Sequence, residues 1–335
     1  MIQGITSCSL SPKMRQKIDG LPHYRAVPKD LAENRGFRRR LIRLSRRSNR
    51  LRAELIRKCR EDILFHINCF GWIFEPRIGR RLPWITYPYQ DEFLMQLQES
   101  LGREDLVVEK SRDVGASWCI LAFYDWRAAF YSMSSFLVLS RKAEYVDKSG
   151  DPKSLLWKLD FLHKNRPEWL CGPVKRVYMH MEYERTGSTI DGESTTEFSG
   201  TSDRRLSVLL DEFSKMPDQD SIYAGTADVS YNRIFLFTPQ GAANTAHQLA
   251  HHPEIKLVTL HWSLHPIKAK GLYRVEKKVI QVLDPLFYAR RRYNFVEKEP
   301  QNPRFKYRSP WYDHRAKKAA HEREIAQELD IDYSG

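Results

Sequence analysis

Cysteine is sparse and unpaired along this chain: Cys8, Cys59, Cys69, Cys119 and Cys171 are odd in number and contain no C-x-x-C spacing. That pattern argues against a structural zinc site or a disulfide framework and suits a reducing compartment. Long apolar runs are missing as well. The most apolar region, residues 119–139, is interrupted by Asp125 and Arg127 and does not read as a membrane span. The first thirty residues mix Lys, Arg, Pro and Asp without an apolar centre, which is not a secretory leader. No internal repeat or low-complexity tract occurs.

Acidic residues are short in one place only. Residues 1–60 hold 17 of the 55 Lys and Arg but 4 of the 42 Asp and Glu, so the remaining 38 of each sign cancel. The whole net charge of +13 therefore belongs to an N-terminal arm. Its densest part, 38–60, places Leu41, Leu44, Leu51 and Leu55 at helical spacing among arginines, which predicts a basic amphipathic helix. Such a helix suits nucleic acid or an acidic partner, or is a solvated face packed on the next domain. Its apolar stripe lacks Trp and Phe, which disfavours a membrane surface.

Residues 62–67 are expected to continue as helix, and 90–101 read as a helix closed by Gly102. Short apolar runs at 106–109, 136–140, 207–211, 233–237 and 256–261 alternate with helical patterns at 117–131, 141–149 and 153–164. Alternation of this kind predicts an α/β domain with a mainly parallel sheet flanked by helices. Antiparallel strands are expected around Tyr178-Met179-His180, Ser188-Thr189-Ile190 and Thr195-Thr196-Glu197-Phe198. From 266 the chain turns polar and basic and reads as a helical linker or subdomain. The expected division is 1–60, 61–265 and 266–335.

The most informative segment is Leu209-Leu210-Asp211-Glu212. Two adjacent carboxylates end a buried apolar run, where a parallel strand opens toward ligand. One acid there can hold Mg²⁺ while its neighbour polarises a water, as ATP hydrolysis requires. Alone, the pair fits a solvated acidic turn equally well. A phosphate loop upstream decides between the two. Lys110-Ser111-Arg112-Asp113-Val114-Gly115-Ala116-Ser117 lies between a strand and a helix, with Gly115 for close backbone approach and Ser117 placed to ligate Mg²⁺. The usual G-x-x-x-x-G-K-[ST] is not met: Ser111 replaces the first glycine and Ala116 the lysine. Lys110 and Arg112 could supply the cation from the start of the loop. Thr238-Pro239-Gln240-Gly241 ends another strand and could sense the γ-phosphate. Tyr87-Pro88-Tyr89-Gln90 offers an amide and rings that could read adenine, or else only starts a helix.

The segment Glu109 to Trp118 resembles the variant Walker A of tailed-bacteriophage large terminase subunits, the ATP-driven DNA-packaging motors. Further segments are similar in the same order: Cys59 to Asp62 with Phe70 to Pro76, Tyr87 to Gln90, Leu139 to Lys142 with Val146 to Lys148, Leu209 to Glu212, Thr238 to Gly241, His261-Trp262 and Ile325 to Tyr333. The resemblance spans about 55–335 and implies a P-loop NTPase with an additional catalytic-glutamate strand. It implies ATP and Mg²⁺ as cofactors, with Lys110 and Arg112 on phosphate, the loop from Ser111 through Asp113, Val114, Gly115 and Ala116 around it, and Ser117 and Asp211 on the metal. Glu212 would activate water, Thr238 would couple hydrolysis to movement, and Gln90 would recognise adenine. A trans-acting arginine is expected, with Arg204, Arg205 and Arg141 as its candidates. Implied partners are double-stranded DNA, the small terminase subunit and the procapsid portal. The implied form is a homo-oligomeric ring in the host cytoplasm, with no membrane.

The family normally continues into a nuclease domain, and the sequence stops about where that would begin. Nuclease activity is therefore not expected of these residues, and Asp330 and Asp332 read as linker. Two alternatives stay open: a nucleotide-binding but non-hydrolysing DNA-binding or assembly subunit, and a helicase-like translocase.

Overall fold

A computed structural model describes residues 12–195 and 203–334. Its centre is a sheet whose strands read as short apolar runs because both of their faces are covered. A hairpin of β1 (Trp72–Glu75) and β2 (Arg80–Pro83) precedes it. The sheet then comprises β3 (Leu106–Lys110), β4 (Ser135–Ser140), β5 (Val174–Val177), β6 (His180–Tyr183), β7 (Ser188–Ser194), β8 (Ser207–Asp211), β9 (Arg233–Phe237) and β10 (Lys256–Leu260). The spatial order is β10-β3-β9-β8-β4-β7-β6-β5. Strands β10 through β7 in that order are parallel, and β6 and β5 close one edge as an antiparallel meander.

Successive side chains go to opposite faces. Leu106, Val108, Phe136, Val138, Leu209, Ile234 and Leu236 join one buried cluster, whereas Val107, Leu137, Leu139, Val208, Leu210, Phe235 and Phe237 join another. The expected α/β architecture is thus present, a mainly parallel sheet with helices on both sides. β9 lies between β3, which leads into the loop at 111–115, and β8, which ends in the two acids.

Helices α1 (Pro12–Asp19), α2 (Leu31–Ser45), α3 (Asn49–Glu61) and α4 (Ile63–Phe70) form the N-terminal part. The basic helix expected over 38–60 is two helices, because Ser48 caps a new start by accepting from the Leu51 N–H at 3.1 Å. Asp62 likewise caps α4 rather than continuing α3. Nor is the arm a separate layer: Met14, Ile18, Leu55 and Cys59 share the core cluster of the sheet. Arg38 is buried and donates to Asn34 Oδ1 (2.6 Å) and to the carbonyls of Gly71 (2.7 Å), Trp84 (2.9 Å) and Ile67 (3.2 Å).

Next come α5 (Pro88–Ser100), α6 (Ala116–Phe130), α7 (Ala143–Val146) and α8 (Leu155–Lys164). Beyond residue 266 the structure departs from the helical subdomain expected. It contains a three-stranded antiparallel sheet of β11 (Tyr273–Glu276), β12 (Val279–Val282) and β13 (Tyr307–Arg308), besides helices at Pro285–Tyr288, Pro310–Lys318 and Glu322–Glu328. The β11–β12 turn uses Lys277 and Lys278 at φ 49° and 65°. That left-handed pair is the backbone of a tight hairpin, built without the glycine or asparagine that would have announced it. Asp330 and Asp332 are buried, not linker. Asp330 Oδ2 accepts from the Tyr312 hydroxyl at 2.9 Å, and burial pushes the Asp330 carboxyl up to about 7. The part of the expected Thr195–Phe198 strand beyond Thr195 lies outside the described residues. No helix among the described residues is long and apolar enough to cross a membrane.

Candidate nucleotide-binding site

The loop after β3 is fixed from behind by its carbonyls. Lys268 Nζ donates to the carbonyls of Arg112 (2.9 Å) and Asp113 (2.8 Å), and the Tyr89 hydroxyl donates to that of Val114 (2.7 Å). The N–H groups of Asp113 to Trp118, by contrast, meet no acceptor among the described residues. Asp113 at φ 59° and Gly115 at φ 80° bend the chain between them. A run of free N–H groups entering a helix N-terminus is an anion-binding nest. Gly115 is favoured there by its angle, and a Cβ would lie 3.0 Å from Gln90 Nε2 and make that amide shift slightly.

Ser117, in the first turn of α6, donates through Oγ to Asp211 Oδ1 at 2.9 Å. Asp211 sits at the carboxyl end of β8, and the next residue, Glu212, turns sharply at φ 59°. That left-handed backbone costs a residue with a Cβ on the order of 1 kcal/mol. Lys110, the last residue of β3, reaches across the end of β9 and donates to Thr238 Oγ1 at 3.3 Å. The structure thus gathers Lys110, Gly115, Ser117, Asp211, Glu212 and Thr238 from separate sequence segments at one end of the sheet.

Charge in this cluster is balanced in a particular way. Burial raises the Asp211 carboxyl, and Glu212 adds to the effect, while Lys158, Lys110 and the Ser117 hydrogen bond oppose it. Burial lowers both Lys110 and Lys158, against the pull of the two acids. Lys158, on α8, was not singled out from the sequence. Its amine donates to the carbonyls of Lys153 (2.6 Å) and Ser154 (3.3 Å), and α8 packs Phe161 edge-on to Trp118 beside Ser117. A hydroxyl and a carboxylate in contact are hard oxygen donors of the kind Mg²⁺ takes together with phosphate oxygens and water. A cation between them would reverse the burial effect on Asp211, so the residues present fit the ion.

Glu212 is half-exposed and flanked by two cations, Arg141 Nε at 3.6 Å and Lys215 Nζ at 3.7 Å. Arg141, which follows β4, therefore faces the acid within its own chain. Arg204 and Arg205 do not. They precede β8, roughly 20 Å of strand away from Asp211 at about 3.3 Å per residue, and Arg205 is ion-paired with Asp191.

Two loop residues are engaged away from the nest. Ser111 is buried, donates to the Leu329 carbonyl (2.6 Å) and accepts from the Trp262 N–H (3.0 Å). Arg112 is ion-paired with Glu328, and its N–H donates to the Glu328 carbonyl at 2.7 Å. Gln90 stands against Gly115, yet its carbonyl accepts from the Tyr87 N–H (3.2 Å) and the Trp84 indole (3.4 Å). Tyr89 buttresses the loop rather than offering a free ring, while Tyr87 and His265 pack loosely at 4.8 Å between ring centres. The sequence reading gave no role to Lys268, and it set 325–333 among the family-like segments without any contact to the loop or to β3. From that segment the Tyr333 hydroxyl (2.9 Å), together with Arg304 (2.8 Å), holds the buried Glu109 of β3.

No family model matches the chain, and no curated protein matches it. Among solved structures it is similar to the ATPase domain of the large terminase from Thermus phage P74-26, at 12% identity and a TM-score of 0.46, covering 72% of this chain and 92% of that one. It is also similar to the large terminase of bacteriophage HK97, at 13% identity and a TM-score of 0.47, covering 60% of this chain and 44% of that one. A third is the large terminase of a thermophilic bacteriophage in complex with ADP, at 13% identity and a TM-score of 0.43, covering 53% of this chain and 46% of that one.

Proposed function

We propose that this chain is the ATP-hydrolysing motor portion of a tailed-phage large terminase subunit, translocating double-stranded DNA into a procapsid. The observation that carries the ATPase part is the contact of Ser117 with Asp211 at the mouth of a loop whose N–H groups from 113 to 118 meet no acceptor among the described residues. The order of the motifs along the chain, from the loop to Thr238, supports the terminase part.

In this proposal the N–H groups of 113–118 and Lys110 hold the β- and γ-phosphates, and Ser117 and Asp211 hold Mg²⁺. The ion, when bound, neutralises charge that develops on the transferred phosphoryl oxygens. Glu212 takes the proton of the attacking water, a general-base role worth roughly 10²- to 10⁴-fold. It must first leave Arg141 and Lys215, so those two cations set its resting position. Lys110 links the phosphates to Thr238 at the end of β9, a route by which hydrolysis can move the next segment. Gln90 reads the base only after giving up its contacts with Tyr87 and Trp84. Any transition-state arginine comes from Arg141 within the chain or from a neighbouring copy in a ring. The small terminase subunit and the portal are the proposed protein partners.

The absence of a lysine at Ala116 favours the second reading, a subunit that binds nucleotide without turning it over. An ATPase assay on the purified chain, with DNA and with small terminase subunit added, separates the two. Mg²⁺-dependent turnover supports the motor; nucleotide binding with no turnover under any of these conditions supports the assembly subunit.

A further inference from the structure

The arginines of the N-terminal part fall into two kinds. Arg38 and Arg52 are structural: Arg38 is buried among carbonyls, and Arg52 pins the α2–α3 corner by donating to Ser45 O (2.7 Å) and Arg46 O (3.2 Å). Arg35, Arg39, Arg43 and Arg46 are exposed or partly exposed and recur at spacings of four, four and three, which puts them on one face of α2 over roughly 16 Å. Arg40 and Arg47 flank that stripe and are exposed too. None of these six has an ion-pair partner among the described residues. Glu54 and Glu61 of α3 are taken by Lys58 and Arg57.

Like charges at i, i+4 repel on a helix, and no carboxylate among the described residues pairs with these. A different face of α2 holds Asn34, Arg38 and Ser45, all buried, so the stripe is presented on a fixed element and not on a loose tail. Its only exposed large apolar residue after the first turn is Leu44, and the stripe carries no aromatic ring. A protein partner needs an apolar anchor at the centre of its interface, and single-stranded bases need a ring to stack on. Arginine without either is chemistry for phosphate oxygens.

We infer that the outer face of α2 is a binding surface for the phosphate backbone of a nucleic acid duplex, independent of sequence. No α2 side chain is among the groups around Asp211, so this surface does not depend on ATP hydrolysis, and the two can fail separately. A duplex carries one charge per about 1.7 Å of axis, so a stripe of this length meets phosphates enough for each of its four arginines.

The test is anisotropy of the full chain with a labelled duplex of about 30 base pairs at several salt concentrations. Four phosphate contacts give a slope of log K against log salt of about −3.6, or roughly 150-fold weaker binding between 50 and 200 mM. Arg39→Gln/Arg43→Gln/Arg46→Gln should make the slope about 2.7 shallower, with helix content and nucleotide binding unchanged. Replacing the same three by lysine should retain it, and Arg290→Gln/Arg292→Gln, at another exposed basic site, should leave it unmoved. A triple glutamine variant with wild-type slope and affinity overturns the inference. So does a wild type that binds poly-glutamate but not the duplex, which would make the partner an acidic protein.

Discussion

Lys268 gives the sharpest prediction about how the loop is held. It is 7% exposed, donates to two successive loop carbonyls, and lies 4.5 Å from the centre of the Trp311 ring. Charge-assisted hydrogen bonds contribute about 1.5–3 kcal/mol each. Arg112 and Asp113 are exposed, however, so water can take over part of their carbonyls once the lysine is gone. We therefore expect Lys268→Met to lose about 2–3 kcal/mol of preference for the bound-like loop. Apparent affinity falls in proportion to the competent fraction, so nucleotide should bind up to roughly 30- to 150-fold more weakly. The loss of the ring contact should lower stability by only about 0.5–1 kcal/mol. Lysine touches carbonyls and not the N–H nest, so kcat at saturating nucleotide should change little, and Lys268→Arg should recover part of the affinity. Burial holds the amine down at about 8, with Asp113 opposing and Arg77, Arg315 and Lys110 reinforcing. Wild-type affinity should accordingly weaken as pH rises through about 8, and the methionine variant should not show that step. Titration with a fluorescent ATP analogue across pH measures both. Equal affinity and equal pH profiles in the two proteins, with the wild type binding normally, would refute the positioning role.

Three further outcomes follow from the same contacts. Ser117→Ala removes the hydroxyl that meets Asp211, so Mg²⁺-dependent turnover should fall by at least about 100-fold while stability changes by about 1 kcal/mol or less; an active variant excludes the metal role. Arg38→Ala takes the donor from the buried Trp84 carbonyl and Asn34 Oδ1, while the Gly71 and Ile67 carbonyls keep the N–H groups of Trp84 and Gly71; it should cost about 3 kcal/mol, a fall of roughly 5–10 °C in Tm, whereas Arg39→Ala should leave Tm nearly unchanged. Asp125 is buried with Arg166 (2.7 Å between Oδ1 and Nη2), and Asp125→Asn should cost about 3–5 kcal/mol by leaving a buried charge unpaired. Burial would raise Asp125, but Arg166 outweighs it and holds the carboxyl below its ordinary 3.8. The unfolded chain then takes up the proton first, so the pair's stabilisation is present above about pH 4 and is lost as pH falls toward the folded value; denaturant melts from about pH 5 down to about 2.5 read this directly.

Much of the sheet was legible because parallel strands buried on both faces must be largely apolar, and β3, β4, β8 and β9 each carry such a run. The acids at 211 and 212, Gly115 and Ser117 were legible for a related reason: each sits where a strand ends or a helix begins, and such ends have strong residue rules. Contacts made at long range were not legible. Lys268, Glu328, Leu329 and Tyr333 hold a loop or strand more than 150 residues earlier; the segment 325–333 carried part of the resemblance, but nothing in it says what it touches. Lys158 is an ordinary helical lysine until α8 is laid across α6. The Lys277-Lys278 hairpin and the buried Arg38 misled for the same underlying reason, since in each the tertiary setting overrides what the residue type suggests.

The central claim is that Glu212 activates water beside a metal held by Asp211 and Ser117. Glu212→Gln keeps the size and loses the base, and the measurement is single-turnover ATP hydrolysis alongside nucleotide affinity on the same preparation. We expect hydrolysis to drop by about 100-fold or more with affinity within about threefold of wild type. Hydrolysis at a near wild-type rate would contradict the account.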